Sequence, residues 1–335
     1  MIHTVRLDAH TTLPAPGLGC MGMSAFYGAR DDETSKKTLR KAIEIGCTVW
    51  DSAAAYGGGH NEQLIGDVLR EGDNRKKVFL ISKFGFGTAL SPEGQPMLDG
   101  SAENVVRSID KSIKDLGGLY PDAYLQHRVD KKTPIEETVR ALDAVRKEGK
   151  TKYIGLSECS ADTLRRAANV AKIDFVEVEY SPWELTMEKN GILDACKELG
   201  IKVLAYSPLG RGFLTGRFKS PEDFATGDGS DARSHLPRFA KENWERNYRI
   251  VQEFERVAEK KGCKPSQLAL AWLVHQGDNI IPIPGTKSSN YLVENFAAAS
   301  IDLSPDELAE VRKVIEDNQP VGTRYAEAQM ASLEG

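Results

Sequence analysis

The sequence predicts an α/β protein, a (β/α)8 barrel built as a single domain over residues 1–335. Short runs of β-branched and aromatic residues alternate along the chain with longer segments of helical periodicity. About eight such strand and helix pairs can be counted, the number that closes a barrel of parallel strands. Several predicted strands also end in polar or charged residues, and the carboxyl ends of barrel strands are where this architecture places its chemistry.

The first elements set the pattern for the rest. Residues 4–14 predict a short hairpin that could plug the closed end of the barrel, and residues 17–21 predict the first core strand. Acidic residues 31–33 suit a helix amino terminus, and Gly46 ends that helix. The later predicted strands are 48–51, 78–82, 122–126, 152–157, 175–179, 201–206 and 279–283.

Helices are predicted between these strands. Ser101 caps one whose inward side chains are Val105, Ile109 and Ile113, and Thr133 caps another with Pro134 in its first turn. Further helices are expected after the second strand, from residue 160, at 243–260 and 265–275, and after Lys287. Long Gly/Pro-rich loops at 85–100 and 211–240 would lie at the carboxyl rim, and loops of that size are usually functional or disordered.

A doubly wound sheet is the competing architecture. Residues 17–22 match the string G-x-G-x-x-G that marks the first turn of such folds. The helix, however, is predicted to begin only near Asp32, well after these glycines. The barrel is therefore the favoured interpretation.

Composition limits the function classes. Hydrophobic residues make up 40% of the chain and the net charge is -5, which gives no general attraction to nucleic acid or to anionic membranes. The first ten residues lack the apolar core of a secretory signal, and no apolar run is long enough to span a bilayer. The five scattered cysteines and six histidines show no metal-ligand spacing, so no metal site is predicted and a cytoplasmic protein is expected.

Four chemically active residues fall at the ends or loops of successive predicted strands: Asp51, Tyr56, Lys83 and His127. A lysine ammonium near a tyrosine favours the phenolate and makes the phenol a tunable acid, while an acid can hold the buried lysine. An imidazole beside the phenol can orient a carbonyl oxygen. This set of groups indicates reduction of a carbonyl with hydride from a nicotinamide.

At these residues the chain resembles the aldo-keto reductase superfamily, in particular the branch of broad-specificity aldehyde reductases and pyridoxal reductases. The resemblance covers nearly the whole chain, and it implies a TIM barrel in which Tyr56 is the general acid, Lys83 and Asp51 tune it, and His127 orients the substrate oxygen. The matching blocks are Gly17-Leu18-Gly19, Asp51 with Tyr56-Gly57, Ser82-Lys83, Gln126-His127, Gly155-Leu156-Ser157, Tyr206-Ser207-Pro208-Leu209-Gly210, and Ile283-Pro284-Gly285-Thr286-Lys287 with Glu294-Asn295.

The resemblance also implies an NADPH/NADP+ site, with NADH as a weaker cofactor. Tyr206 would stack on the nicotinamide, and Ser157 with its neighbours would hold the carboxamide. The implied cofactor-binding residues are Met21, Ser157, Glu177, Tyr206, Ser207, Leu209, Arg211, Gly285, Thr286, Lys287, Glu294 and Asn295.

The pattern departs from the family at three positions in and around this set. Glu158 and Glu177 stand where amides are usual, and a carboxylate cannot donate a hydrogen bond unless it is protonated. Lys287 resembles the contact to the 2'-phosphate, but Tyr291 stands where many members carry an arginine. The preference for NADPH over NADH is therefore expected to be weaker than usual.

The expected function is an NADPH-dependent oxidoreductase that reduces aldehydes, and ketones as a second class, acting as a monomer or weak homo-oligomer on a small-molecule carbonyl substrate. Pyridoxal is one candidate. Two alternatives stay open: an NADPH-binding redox sensor without significant turnover, and an isomerase or aldolase with Lys83 as a Schiff base. Five aromatic residues would either line an apolar substrate pocket or pack in the core, and the sequence favours neither: Phe26, Tyr27, Phe84, Phe86 and Trp183.

Overall fold

The computed structural model describes residues 2–90, 96–224, 231–330 and 333. Most strands are short, buried and placed where the sequence predicts them. They are β1 (Thr4–Arg6), β2 (Thr12–Pro14), β3 (Leu18–Gly19), β4 (Val49–Asp51), β5 (Phe79–Phe84), β6 (Phe86–Leu90), β7 (Pro96–Leu98), β8 (Ala123–Gln126), β9 (Tyr153–Ser157), β10 (Phe175–Glu179), β11 (Lys202–Tyr206) and β12 (Ile280–Pro282).

The helices fill the intervals between strands, with extra ones near the carboxyl end. They are α1 (Asp32–Ile45), α2 (His60–Leu69), α3 (Asn74–Lys77), α4 (Ala102–Asp115), α5 (Ile135–Lys147), α6 (Ala161–Val170), α7 (Thr186–Lys189), α8 (Ile192–Leu199), α9 (Lys241–Lys261), α10 (Pro265–Val274), α11 (Ser289–Ala297), α12 (Pro305–Asp317) and α13 (Glu327–Met330). In the described part of the chain, no helix has the length and apolarity needed to cross a bilayer.

Eight strands form one parallel sheet in the order β3-β4-β5-β8-β9-β10-β11-β12. The two edge strands meet, because the amide of Gly17 donates to the carbonyl of Pro282 at 2.8 Å and the amide of Gly19 donates to Pro284 at 3.1 Å. A side chain at Gly19 would put its Cβ 2.8 Å from the carbonyl oxygen of Ile283. Glycine thus allows the seam to close, and the predicted (β/α)8 barrel is confirmed.

The amino-terminal hairpin is also present. β1 and β2 pair antiparallel, and Val5 and Leu13 are buried in the same apolar cluster as Val49, Ile81 and Phe175. Because Val49 and Phe175 begin their strands, the hairpin covers the amino ends of the barrel, opposite the carboxyl rim.

Helix boundaries mostly follow local signals. The Asp31 carboxylate accepts from the Thr34 amide, and Gly46 ends α1 in the left-handed conformation at φ 83°. The predicted Thr133 cap is wrong: Pro134 occupies the cap position of α5, and the Thr133 hydroxyl donates to Asp130 at 2.8 Å instead.

The two long rim loops have structure of their own. Within 85–100, β6 and β7 form an antiparallel hairpin that the Gly/Pro content did not predict, and residues 91–95 lie outside the described residues. The loop predicted at 211–240 crosses the rim, where the Ala232 amide donates to the carbonyl of Phe26 at 3.2 Å and Tyr27 pairs with Asp231. Residues 225–230 of that loop are likewise outside the described residues.

Candidate active site

The four residues predicted to be catalytic come together at the carboxyl rim of the barrel. Asp51 ends β4, Lys83 lies in β5, His127 follows β8, and Tyr56 stands on a one-turn helix after β4. The ammonium of Lys83 donates to both carboxylate oxygens of Asp51 at 2.7 Å, to the Ser52 carbonyl at 2.9 Å, and to the phenol oxygen of Tyr56 at 3.4 Å. The ring of His127 stands edge-on to that of Tyr56, with 5.6 Å between centroids.

Burial controls the protonation of this cluster. Burial raises the pKa of Tyr56 above its ordinary value, and the opposing charge of Lys83 does not fully offset it. Burial lowers the pKa of Lys83, but Asp51 and Glu177 outweigh it and the net pKa is raised. The charge of Lys83, which favours the phenolate, is therefore the smaller of two effects on this pKa. The resting state is a protonated phenol beside a charged ammonium.

Glu177 adds a second acid to the ammonium. Its Oε2 lies 3.2 Å from Nζ of Lys83, and both side chains are buried. Because Asp51 holds the ammonium at 2.7 Å through both of its oxygens, we assign the ionised form to Asp51. Burial and the charge of Asp51 raise the pKa of Glu177 to about 8, so Glu177 carries a proton at neutral pH. A protonated Glu177 can donate a hydrogen bond as an amide would.

His127 is neutral in this setting. Burial, followed by the charges of Arg128 and Lys83, lowers its pKa well below the usual value. Its Nδ1 is buried and has no hydrogen-bond partner among the described residues, and the ring of Phe86 stands edge-on at 5.9 Å. A neutral imidazole next to the phenol is suited to bind a carbonyl oxygen without adding charge.

A cluster of arginines and glutamates surrounds Tyr206 at the neighbouring strand ends. The Tyr206 hydroxyl donates to Glu158 at 2.8 Å and lies 3.2 Å from the hydroxyl of Tyr325. Two nitrogens of Arg324 donate to the two oxygens of Glu158, each at 3.2 Å. Arg324 and Tyr325 follow the last barrel helix and were missed in the sequence, because nothing local to residues 323–325 indicates a site 166 residues away.

Two further ion pairs complete this cluster. Arg211 pairs with Glu179 at 3.2 Å and lies over the Tyr325 ring, 4.3 Å from its centroid. Arg238 pairs with Glu184 at 2.7 Å, and Arg324 also approaches both of these glutamates. Four rim residues of the described chain adopt positive φ without being glycine, a kind of backbone strain that concentrates at functional sites. They are Phe26 at 69°, Glu158 at 50°, Ser207 at 49° and Arg211 at 58°.

The remaining predicted cofactor residues form two groups along the rim. Ser157 ends β9 and accepts from Arg128 at 3.3 Å, whereas Met21, Ser207 and Leu209 lie in turns after β3 and β11. Gly285 and Thr286 lead into α11, where the Thr286 hydroxyl accepts from the Ser288 amide at 3.0 Å.

Lys287 and its surroundings lie just before α11. The ammonium of Lys287 donates to the carbonyls of Tyr27 at 2.9 Å and Ala29 at 2.8 Å, so it ties the first rim loop to this helix. Arg217, which the sequence did not single out, places its guanidinium 5.7 Å from the ring centroid of Tyr291. A cation from another loop therefore lies close to position 291, where the chain has a tyrosine.

Glu294 and Asn295 lie one helical turn and more into α11. The Glu294 carboxylate accepts from the Ser266 hydroxyl at 2.5 Å, which ties α11 to α10, and Asn295 is buried. Among the described residues, no hydrogen bond or ion pair joins either side chain to Tyr206 or Lys83, so their part in cofactor binding stays a prediction.

The aromatic residues divide between pocket and core. Phe26 is 55% exposed and Phe86 is 38% exposed, and both lie on rim loops. Phe84 is buried and stacks on Tyr124, and Trp183 is buried and stacks on Phe213. Tyr27 is partly buried beneath Arg233. Only the first two are therefore available to contact a substrate from the open rim.

Comparison with known proteins agrees with this architecture. Residues 17–316 match the model of the "Aldo/keto reductase family". The "Aldo-keto reductase yakc [NADP(+)]" of Schizosaccharomyces pombe is 44% identical over 323 residues, which is 96% of this chain and 94% of that protein. An "Aldo-keto reductase" of Gibberella moniliformis is 44% identical over 324 residues, 96% of each chain.

Solved structures show the same fold. A glycerol dehydrogenase from Gluconobacter oxydans superposes with a TM-score of 0.85 at 27% identity, over 96% of this chain and 97% of its own. An aldo/keto reductase from Klebsiella pneumoniae, solved with NADP and acetate, has a TM-score of 0.72 at 25% identity over 97% and 99% of the two chains. With this fold, this rim chemistry and matches along nearly its whole length, the chain belongs to the aldo/keto reductase family.

Proposed function

We propose that this protein is an NADPH-dependent oxidoreductase that reduces aldehydes, and ketones as a second class, to alcohols, with Tyr56 as general acid. Membership of the aldo/keto reductase family supports an oxidoreductase. The NADP(+) named for the fission yeast relative and the NADP bound by the Klebsiella protein support the cofactor. The observation that carries the proposal is the Tyr56 phenol held 3.4 Å from the ammonium of Lys83 beside a neutral His127.

Each residue of this cluster has a separate task. Tyr56 keeps its proton until a carbonyl oxygen gains negative charge, and the fixed ammonium of Lys83 stabilises the phenolate that then forms. Asp51 holds the ammonium in place with both oxygens. His127 binds the same carbonyl oxygen and orients it towards the phenol.

The rim fits a nicotinamide dinucleotide. When bound, NADPH supplies the hydride. Glu177 Oε2 is buried next to the strand end that carries Ser157, and apart from the Lys83 ammonium 3.2 Å away, with which it makes no well-aligned hydrogen bond, it has no hydrogen-bond partner among the described residues. A protonated Glu177 and the Ser157 hydroxyl would hold the carboxamide, and the half-buried ring of Tyr206 would form the stacking surface.

The late loops would hold the rest of the cofactor. The residues that would do so are Met21 after β3, Ser207, Leu209 and Arg211 after β11, Gly285 and Thr286 before α11, and Glu294 and Asn295 within that helix. The amino terminus of α11 and Lys287 favour an anion there, which suits the 2'-phosphate of NADPH. Arg217 beside Tyr291 would add a second positive charge.

The Schiff-base alternative conflicts with the state of Lys83. Its amine must be uncharged to attack a carbonyl, whereas here it is a charged donor to Asp51, Ser52 and Tyr56 with a raised pKa. The sensor alternative keeps the same cofactor site and differs only in lacking turnover.

A turnover assay separates reductase from sensor. NADPH oxidation would be followed by stopped flow with a panel of aldehydes that includes pyridoxal and aromatic aldehydes. We expect oxidation well above the rate without carbonyl for at least one aldehyde. Tight NADPH binding with no oxidation on any carbonyl would contradict the reductase and favour the sensor.

We further propose a cellular location and an oligomeric state for this protein. We expect it to be cytoplasmic, given the reduced, scattered cysteines, and to be a monomer or weak homo-oligomer. Cell fractionation and sedimentation velocity would test these two expectations.

A further inference from the structure

Arg128 stands at the rim between two residues of the active site. It directly follows His127, and its Nη1 donates to the His127 carbonyl at 2.6 Å and to the Ser157 hydroxyl at 3.3 Å. Arginine has five N–H donors, and these two bonds occupy the pair on Nη1. The edge formed by Nε and Nη2 has no partner among the described residues. Both nitrogens keep contact with solvent, since neither belongs to the buried unpartnered atoms.

Arg128 differs in charge balance from the other arginines of this site. Arg211, Arg238 and Arg324 are matched by three glutamates, as described above. No carboxylate of the described residues lies within 4.0 Å of Arg128, and Glu158, which acts on it from farther away, already binds Arg324 and Tyr206. A partly buried guanidinium normally has an anionic partner, because desolvation of an unpaired charge is costly.

The free edge indicates what that partner is. Nε and Nη2 of a guanidinium form a planar fork that matches the two oxygens of a carboxylate. NADPH has its negative charges on the phosphates, which in the proposed arrangement lie along the rim towards α11 and Lys287. Because Arg128 directly follows His127, which in the proposed function binds the substrate carbonyl, its positive charge lies nearer to the expected carbonyl substrate than to those phosphates.

We propose that Arg128 is a specificity-determining residue that binds a carboxylate carried by the substrate, so that the preferred substrates are anionic carbonyl compounds. This inference rests on the proposed reductase function. It predicts that the same carbonyl is reduced more efficiently when a carboxylate can reach the guanidinium than when that group is masked as a neutral ester.

Paired substrates test this directly. Glyoxylate with methyl glyoxylate, and 4-carboxybenzaldehyde with its methyl ester, place the charge near to and far from the carbonyl. For Arg128→Gln we expect kcat/KM to fall roughly 10- to 100-fold on at least one of the two acids and to stay within about threefold on its ester. For each substrate, kcat/KM of the wild type is divided by kcat/KM of the variant, so the intrinsic difference in reactivity between acid and ester cancels.

Two control variants separate the effect of the guanidinium fork from that of charge alone and from that of removing any arginine. Arg128→Lys keeps the charge without the fork and should lose less than Arg128→Gln on the same acid. Arg165→Gln removes an exposed arginine paired with Glu198 and should leave both kcat/KM values unchanged. Fluorescence titration with NADPH and thermal unfolding would be measured for every variant, and cofactor affinity should be retained in Arg128→Gln.

Several outcomes would overturn the proposal. Equal losses on acid and ester in both pairs, or a loss of NADPH affinity that accounts for the fall, would give Arg128 a structural or cofactor role. A wild-type enzyme that reduces the esters but neither acid would also refute it, and would leave the reductase function standing. A wild-type protein that reduces none of the four compounds nor any of the aldehyde panel would instead count against the reductase function itself.

Discussion

Lys83 faces two buried carboxyl groups, and the difference between them is the most consequential feature at the scale of single residues. Asp51 takes the ion pair, whereas Glu177 keeps a proton with a pKa raised to about 8. The folded chain thus binds a proton that the unfolded chain releases at lower pH. The stability contributed by neutral Glu177 is fully present below the ordinary glutamate pKa and is lost as the pH rises through about 8.

NADPH affinity should show the same titration. Ionised Glu177 would place a second negative charge beside Asp51 and could no longer donate to the carboxamide, so we expect NADPH affinity to weaken as the pH passes 8. Glu177→Gln keeps a donor at all pH values and should remove this limb. NADPH dissociation constants measured from pH 6 to 9.5 would check it. An unchanged profile in the variant would assign the titration to another group.

At the scale of elements, the segment after α12 contributes a guanidinium that approaches three buried glutamates and shares their neutralisation with Arg211 and Arg238. Arg324 is 8% exposed and lies within 3.9 Å of Glu158, Glu179 and Glu184. Through Glu158 it also fixes the hydroxyl of Tyr206. The carboxyl-terminal segment therefore belongs structurally to the rim, although it lies outside the repeating strand and helix pattern.

Removal of that charge should be costly. Arg324→Leu leaves the glutamates short of a positive partner, and we expect it to lower the free energy of unfolding by about 3–5 kcal/mol. Arg165→Leu breaks an exposed pair with Glu198 and should cost less than about 1 kcal/mol. Urea denaturation of both variants gives the comparison. Similar small losses would mean that the buried glutamates are neutralised in another way.

The start of α11 is the second element with a defined role. Lys287→Ala removes a charge expected to bind the 2'-phosphate, so NADPH affinity should fall roughly tenfold or more. NADH affinity should fall less, because NADH has no 2'-phosphate. It should still fall somewhat, because the bonds of Lys287 to the carbonyls of Tyr27 and Ala29 serve both cofactors. Arg217→Ala should shift the same ratio in the same direction. Equal losses for the two cofactors in both variants would show that neither residue binds that phosphate.

At the scale of the whole molecule, the barrel was predictable because its signals are local and repeated. Strand and helix periodicity, Asp31 as a cap and Gly46 as a stop are all contained within a few residues. The four candidate catalytic residues were found for the same reason, since each ends or closely follows a recognisable strand. Closure of the sheet then brings these separate strand ends to one rim.

Features that depend on long-range competition were not predictable from the chain. Arg324 meets Glu158 across 166 residues, and Arg217 reaches Tyr291 from a different loop. The Thr133 hydroxyl donates to Asp130 and does not cap α5, and the Gly/Pro-rich segment after β5 forms a β-hairpin. Phe84 and Phe86 are two residues apart, a spacing that would put both on one face of a continuous strand, yet Phe84 is core and Phe86 is exposed, because β5 ends at Phe84 and β6 begins at Phe86.

The central claim is that a phenol fixed by a buried ammonium delivers the proton when the assembled barrel reduces a carbonyl. The most direct test is Tyr56→Phe, with single-turnover NADPH oxidation and NADPH affinity measured on the same sample. We predict that turnover falls by roughly 100-fold or more, as expected for loss of a general acid, while affinity for NADPH stays near that of the wild type. Turnover within a few fold of the wild type would contradict the account.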